Sequence, residues 1–109
     1  MKKFFTALIL GLIVYQNSTA DEKLDRQTLD TMKKATRFMV ETVSTNGGYL
    51  WYYLPDLSRR WGEMEAYDTM IWAQPPGTTS MGHLFLDAYR ATHDEYYYEA
   101  AEKTAALRR

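Results

Sequence analysis

GGYLWYYLPDLSRRWGEMEAYDTMIWAQPPGTTSMG, residues 47–82, holds all three tryptophans, all three prolines and five of the six glycines of a 109-residue chain. On either side the chain is helix-like or leader-like, so the architecture turns on how this segment pairs. YLWYYL (49–54) and AYDTMIWAQ (66–74) are rich in aromatic and β-branched residues, and each is bounded by Gly or Pro, the pattern of short strands. The charged residues between them, PDLSRRWGEME, carry a turn-prone Pro-Asp and a Gly, which predicts a two-stranded hairpin with a long loop. A lone hairpin is not stable in water. It must lie on neighbouring helices, and aromatic surface not buried there is available to a ligand.

Working outward, the spacing predicts a helix from an Asp25 N-cap to about Val43, with Leu29, Met32, Ala35, Phe38, Met39 and Val43 as its apolar stripe. Asn46-Gly47-Gly48 supplies left-handed conformers that end it. On the other side, Gln74-Pro75-Pro76-Gly77 excludes helix and central strand. A second helix follows, capped by Thr78, Thr79 or Ser80, with Met81, Leu84, Phe85, Ala88 and Tyr89 on its buried face. Thr92-His93-Asp94 breaks it. Asp94 or a neighbour caps a third helix from about Glu95, with Tyr97, Ala100, Ala101, Thr104 and Leu107 as its stripe. The expected fold is mainly α with a small β-hairpin, its last two helices forming an αα-hairpin, the unit that on repetition builds an (α/α) toroid-like or solenoid fold; one such unit is visible here.

Lys2 and Lys3, the apolar run Phe4 to Val14 and the small polar residues ending at Ala20 have the three parts of a secretory signal peptide. The apolar run is short for a membrane span, which needs about 20 residues. Residues 1–20 are therefore read as a leader and 21–109 as a single mainly helical domain or the N-terminal fragment of a larger protein, secreted or periplasmic. The chain has no cysteine, so no disulfide framework or lipid-anchored cysteine is available. Removing the leader leaves 11 basic against 14 acidic residues, a net charge of −3. That balance argues against a nucleic-acid partner, and a polyanion would need a local Arg cluster or a bridging cation.

The segments GGYLW, DLSRR, Trp72 to Thr78 (WAQPPGT) and the helical pair LDAYRAT-D-YY-EAA resemble, in order and spacing, the N-terminal part of the pectate lyase-like proteins of polysaccharide lyase family ten. The resemblance covers roughly residues 35–107. It implies toroidal αα-hairpins, a pectate substrate, and calcium-assisted β-elimination, in which a cation on the uronate carboxylate acidifies the α-carbon and a base removes its proton. Trp61 and Met64 stand where the family pattern has an acid and a glycine. The family's calcium carboxylates and catalytic arginine lie beyond this region, so no catalytic residue is carried over. Ca2+ is implied by the resemblance alone, acidic polysaccharide is the implied partner, and no membrane partner remains after leader removal.

From the residues themselves, Glu63, Glu65 and Asp68 are the acids nearest to a hard-cation cluster, or else a solvated face. Arg59 and Arg60 are suited to bidentate recognition of a substrate carboxylate, or else bridge to Glu63 or Glu65. Trp51, Tyr53 and Trp72, with Tyr52 and Trp61 beside them, are candidates for stacking on a sugar, or else core. His83 and His93 have no partner pattern and read as structural or exposed. The candidate substrate-binding set is thus Trp51, Tyr53, Arg59, Arg60 and Trp72. The alternative function is a small exported carbohydrate-binding or protein-interaction module using the aromatic hairpin. If the αα-hairpin belongs to something larger, Leu84, Ala88, Leu107 and parts of Tyr96 to Tyr98 should form an unpartnered apolar surface, leaving the chain marginally stable or self-associating.

Overall fold

The computed structural model describes the backbone of residues 2–107 and the side chains of residues 19–107. Expectations that rest on the side chains of the leader or on Arg108 and Arg109 lie outside the described residues. The chain divides into two units, residues 1–35 and 36–109.

The first unit is helical throughout its described length, part of helix α1 (Lys2–Phe38). Asp25 therefore lies within a helix and is not its N-cap, contrary to the expectation. The reason is local: no proline precedes Pro55, and Leu24, Asp25, Arg26 and Gln27 are all compatible with helix. Thr28 and Thr31 donate their hydroxyls back to the Leu24 and Gln27 carbonyl oxygens, 2.9 and 2.8 Å away, satisfying themselves within the helix. The stripe expected on this helix is only partly buried. Val43 is buried and Met39 packs on the core, whereas Leu29 and Phe38 are about half exposed.

In the second unit the helix passes into a π-helical turn (Met39–Val43), closed by the Ser44 N–H donating to the Met39 carbonyl oxygen at 2.9 Å. A tight turn follows. Thr45 and Gly48 exchange two backbone hydrogen bonds of 2.9 Å, and the residues between them, Asn46 (φ 54°) and Gly47 (φ 93°), both take left-handed conformations. A turn with two positive φ angles selects Asn-Gly because those residues accept that region at least cost. Gly48 is required for another reason: a Cβ there would fall 2.2 Å from Cγ2 of Ile71.

Three two-residue strands form an antiparallel sheet in chain order: β1 (Tyr52–Tyr53), β2 (Arg60–Trp61) and β3 (Glu65–Ala66). This corrects the two-stranded hairpin. YLWYYL pairs with the charged segment read as loop, Tyr52 opposite Trp61 and Tyr53 opposite Arg60, and most of AYDTMIWAQ is not strand. The Pro55-Asp56 turn reverses the chain sooner than expected: Leu57 N–H donates to Leu54 O at 2.8 Å and Leu54 N–H to Arg59 O at 3.0 Å. The residues after β3 return to the start of the segment through a backbone bond, Trp72 N–H to Tyr49 O at 2.9 Å, with side-chain bonds beside it.

Helices α2 (Thr78–Thr92) and α3 (Glu95–Ala106) lie where the sequence places them and pack together as an αα-hairpin. His93 ends α2 in the left-handed conformation at φ 55°. Asp94 caps α3, its carboxylate accepting from Tyr96 N–H at 3.0 Å. The start of α2 differs from expectation. Gly77 occupies the cap position without a side-chain cap bond. Thr78 Oγ1 instead reaches Tyr49, accepting from its N–H at 2.9 Å and donating to its carbonyl oxygen at 3.1 Å. The Thr79 hydroxyl is bonded to Ala73 O.

The core sits between these parts. Tyr49, Phe85, Ala100 and Ala101 form it, with Met39, Val40, Met81 and Leu86 against it, and Tyr49 meets the Phe85 ring edge-on with centroids 6.0 Å apart. Tyr97 is also fully buried, so it leaves the expected unpartnered surface. Leu84 is 58% exposed, which corrects its place on the buried face of α2, where Phe85 is buried. The fold is mainly helical with a small three-stranded antiparallel sheet.

Candidate aromatic and arginine surface

Five expected contact residues fall into three groups built on the sheet and its return segment. Trp51 and Trp72 meet edge to face, with centroids 6.1 Å apart. Both indole N–H groups are held by Gln74: Trp51 Nε1 donates to its backbone oxygen at 3.0 Å and Trp72 Nε1 to Oε1 at 3.2 Å. Trp72 also covers Gly62, where a Cβ would lie 2.3 Å from the ring atom Cδ2. These two tryptophans are half-buried and braced at their N–H edges.

Tyr53 and Arg60 are cross-strand partners, and the Arg60 Cζ lies 5.7 Å from the Tyr53 ring centroid. Tyr53 Oη accepts from Leu50 N–H at 2.7 Å. Burial pushes the Tyr53 phenol above its ordinary pKa, with the Leu50 hydrogen bond and the Arg60 charge opposing that shift. Arg60 Nη2 donates to Leu57 O at 3.1 Å. The loop carrying Leu57 is pinned by Asp56, whose Oδ1 accepts from the N–H and hydroxyl of Ser58 at 3.0 and 2.7 Å. Those two bonds hold the Asp56 carboxyl below its usual range.

Arg59 belongs to the opposite side of the sheet. Its Nε and Nη2 donate to Oε1 and Oε2 of Glu65 at 2.6 and 2.8 Å, a bidentate pair, and its Cζ lies 5.1 Å from the Trp61 ring centroid. The pair lowers the Glu65 carboxyl and raises the Arg59 guanidinium. Of the two sequence readings of Arg59, the bridge to Glu65 is the one formed. Trp61 and Glu65 stand beside the expected set in the sequence reading, as a stacking candidate and a partner for the arginines, whereas Gln74 is not singled out there. An Arg-x-Trp spacing places both side chains on one strand face, which is the signal that joins Trp61 to Arg59.

Among the described residues no three His, Asp or Glu side chains are grouped to hold a metal ion. Of the three acids read as a hard-cation cluster or a solvated face, Glu65 has both oxygens hydrogen-bonded to Arg59, and Glu63, Glu65 and Asp68 are all exposed. His83 lines a pocket of about 240 Å³ that is walled chiefly by Ile71, Ala73, Leu86, Ala101 and Leu107. The pocket is smaller than the roughly 300–1,000 Å³ of drug-sized ligand sites. The Thr79 and Thr104 hydroxyls on its wall are spent on the Ala73 and Ala101 carbonyl oxygens. His93, the α2 cap, lies edge-on to Tyr89 with centroids 6.3 Å apart. No helix among the described residues is long and apolar enough to cross a membrane. In comparisons with known proteins, no family model, no curated protein and no solved structure matches this chain.

Proposed function

We propose that this chain is the N-terminal region of an exported pectate lyase-like protein, with the residues of calcium-assisted β-elimination outside it, and that its aromatic and arginine surface contacts acidic polysaccharide. One observation carries the reading: the separate segments on which the resemblance rests meet at one place. Tyr49 of GGYLW bonds Trp72 and Thr78 of WAQPPGT; Trp51 N–H donates to Trp61 O beside DLSRR at 2.9 Å; and Tyr49 shares its core with Leu86, Ala100 and Ala101 of the helical pair. Segments scattered over the sequence are thus one built unit. In this reading the unit takes its place in an (α/α) toroid, and Trp51, Tyr53, Arg60 and Trp72 face the substrate, while Arg59 is paired with Glu65 on the opposite side of the sheet.

The test is incubation of the leader-free chain with polygalacturonate and calcium while unsaturated uronate absorbance is followed, with tryptophan fluorescence recorded against oligogalacturonate. The expected result is a fluorescence change without turnover. Turnover would place the catalytic residues inside this chain, and an unchanged spectrum would remove the polysaccharide contact. A second reading, an exported carbohydrate-binding or protein-interaction module complete in itself, is favoured by the exposure of Tyr52 and Tyr67 at 64% and 76%. An encoding frame that continues past Arg109 supports the first reading, and one that stops there supports the second.

A further inference from the structure

Two adjacent guanidinium groups are placed in opposite circumstances. Arg59 fills its fork with both oxygens of Glu65 and stacks on Trp61. Arg60 points to the other face of the sheet, where its strand neighbours are Tyr53 and Ala66. Its side chain commits one nitrogen, Nη2, to Leu57 O and rests over Tyr53. No carboxylate among the described residues forms an ion pair with it. Arg60 is half-buried, so part of its hydration is already gone. A partly desolvated cation without a counter-charge is costly, and an anion that completes its fork recovers that cost.

The surroundings are arranged to hold the guanidinium still. Leu57 is kept at φ 60°, an unfavourable conformation for a branched side chain, and its carbonyl fixes one edge of the fork. The Tyr53 ring supports a face, and its hydroxyl is itself tied to Leu50 N–H. A pre-positioned fork loses little freedom on binding, which favours a planar carboxylate over a point charge. We propose that Arg60, braced by Tyr53 and Leu57, is a carboxylate subsite that takes the acid group of a uronate residue, while the Arg59–Glu65 pair is a strut that does not touch the ligand. The uronate identity rests on the acidic-polysaccharide reading; the anion site rests on the geometry.

The experiment uses the full leader-free chain, with sodium galacturonate, oligogalacturonate and a neutral galactose oligomer as probes. On adding galacturonate, the NMR signal of Arg60 Nε should shift while that of Arg59 Nε stays. Arg60→Gln should weaken oligogalacturonate binding by about tenfold or more, the loss of one charge-assisted contact. Arg60→Lys should recover part of it, and the double variant Arg59→Gln with Glu65→Gln should stay near wild type. Far-UV circular dichroism checks that each variant is folded, and the NMR arm needs no variant. Equal response of both arginines, or oligogalacturonate binding with a silent Arg60, overturns the subsite. An Arg60 shift with galacturonate but no binding of the oligomer upholds the subsite and removes the polysaccharide reading.

Discussion

The αα-hairpin and the small sheet belong to one unit but are held by different forces. In the hairpin, Phe85, Tyr97, Ala100 and Ala101 are removed from water, and the alanines bring the helices close enough to bury a large ring between them. Burial of this kind is non-directional and scales with area. In the sheet, each strand has two residues, and cohesion comes from contacts that need particular geometry: the Arg59–Glu65 fork, arginines over Trp61 and Tyr53, and two indoles tied to Gln74. The first arrangement tolerates imprecise positions but not lost volume. The second tolerates exposure but not displacement.

The largest expected effect is in the hairpin. Phe85→Ala removes a buried ring and should cost about 3–5 kcal/mol, unfolding the sheet with the helices because Tyr49 joins both. Urea titration with far-UV and near-UV circular dichroism should show the two signals lost together. A sheet signal that survives would separate the regions more sharply than this structure does.

Next is the joint itself. Burial pushes the Tyr49 phenol up to about 12, the largest cause, partly opposed by a hydrogen bond with Ser44. The folded pKa lies above the unfolded one, so this contribution is full below pH 10 and is lost as pH rises toward about 12. It amounts to at most about 2–3 kcal/mol. Tyr53, Tyr89 and Tyr96 are also raised, so the measurement is the difference between wild type and Tyr49→Phe. Stability of the variant should fall less steeply over that interval, and parallel curves would assign the alkaline loss elsewhere.

A smaller effect is expected where the sheet meets its return segment. Gly62→Ala drives a methyl into the Trp72 ring, a rigid neighbour, and should cost about 1–3 kcal/mol. Tryptophan fluorescence should change while the helical signal of the folded protein is kept. Loss of the helical signal as well would show that the Gly62–Trp72 contact is needed for the whole unit to fold, not only for the packing of the sheet.

The smallest effect is the exposed pair. A double-mutant cycle on Arg59 and Glu65 should give a slight coupling that fades in high salt. Arg59 holds the Glu65 carboxyl below its ordinary pKa in the fold, so the coupling is present above the unfolded value and disappears as pH falls through the folded one. A coupling independent of salt and acid would mean that packing on Trp61, not charge, holds the strut.

By itself, the sequence determined what depends on near neighbours. Helix α2, helix α3, the Asp94 cap, the His93 break and the Asn46-Gly47 turn follow from periodicity, side-chain capping and tolerance of positive φ, all local effects. The Arg and aromatic types of the candidate surface were legible in the same way, as chemistry. Tertiary structure alone decided their partners. Strands of two residues carry no alternation to read, so the pairing of Tyr53 with Arg60, and not with the 66–74 segment, came from the early Pro55 turn and from Gly48 and Gly62 admitting Ile71 and Trp72. The same pairing put Arg59 and Arg60 on opposite faces, one closed by Glu65 and one open, a difference that two identical adjacent letters cannot contain.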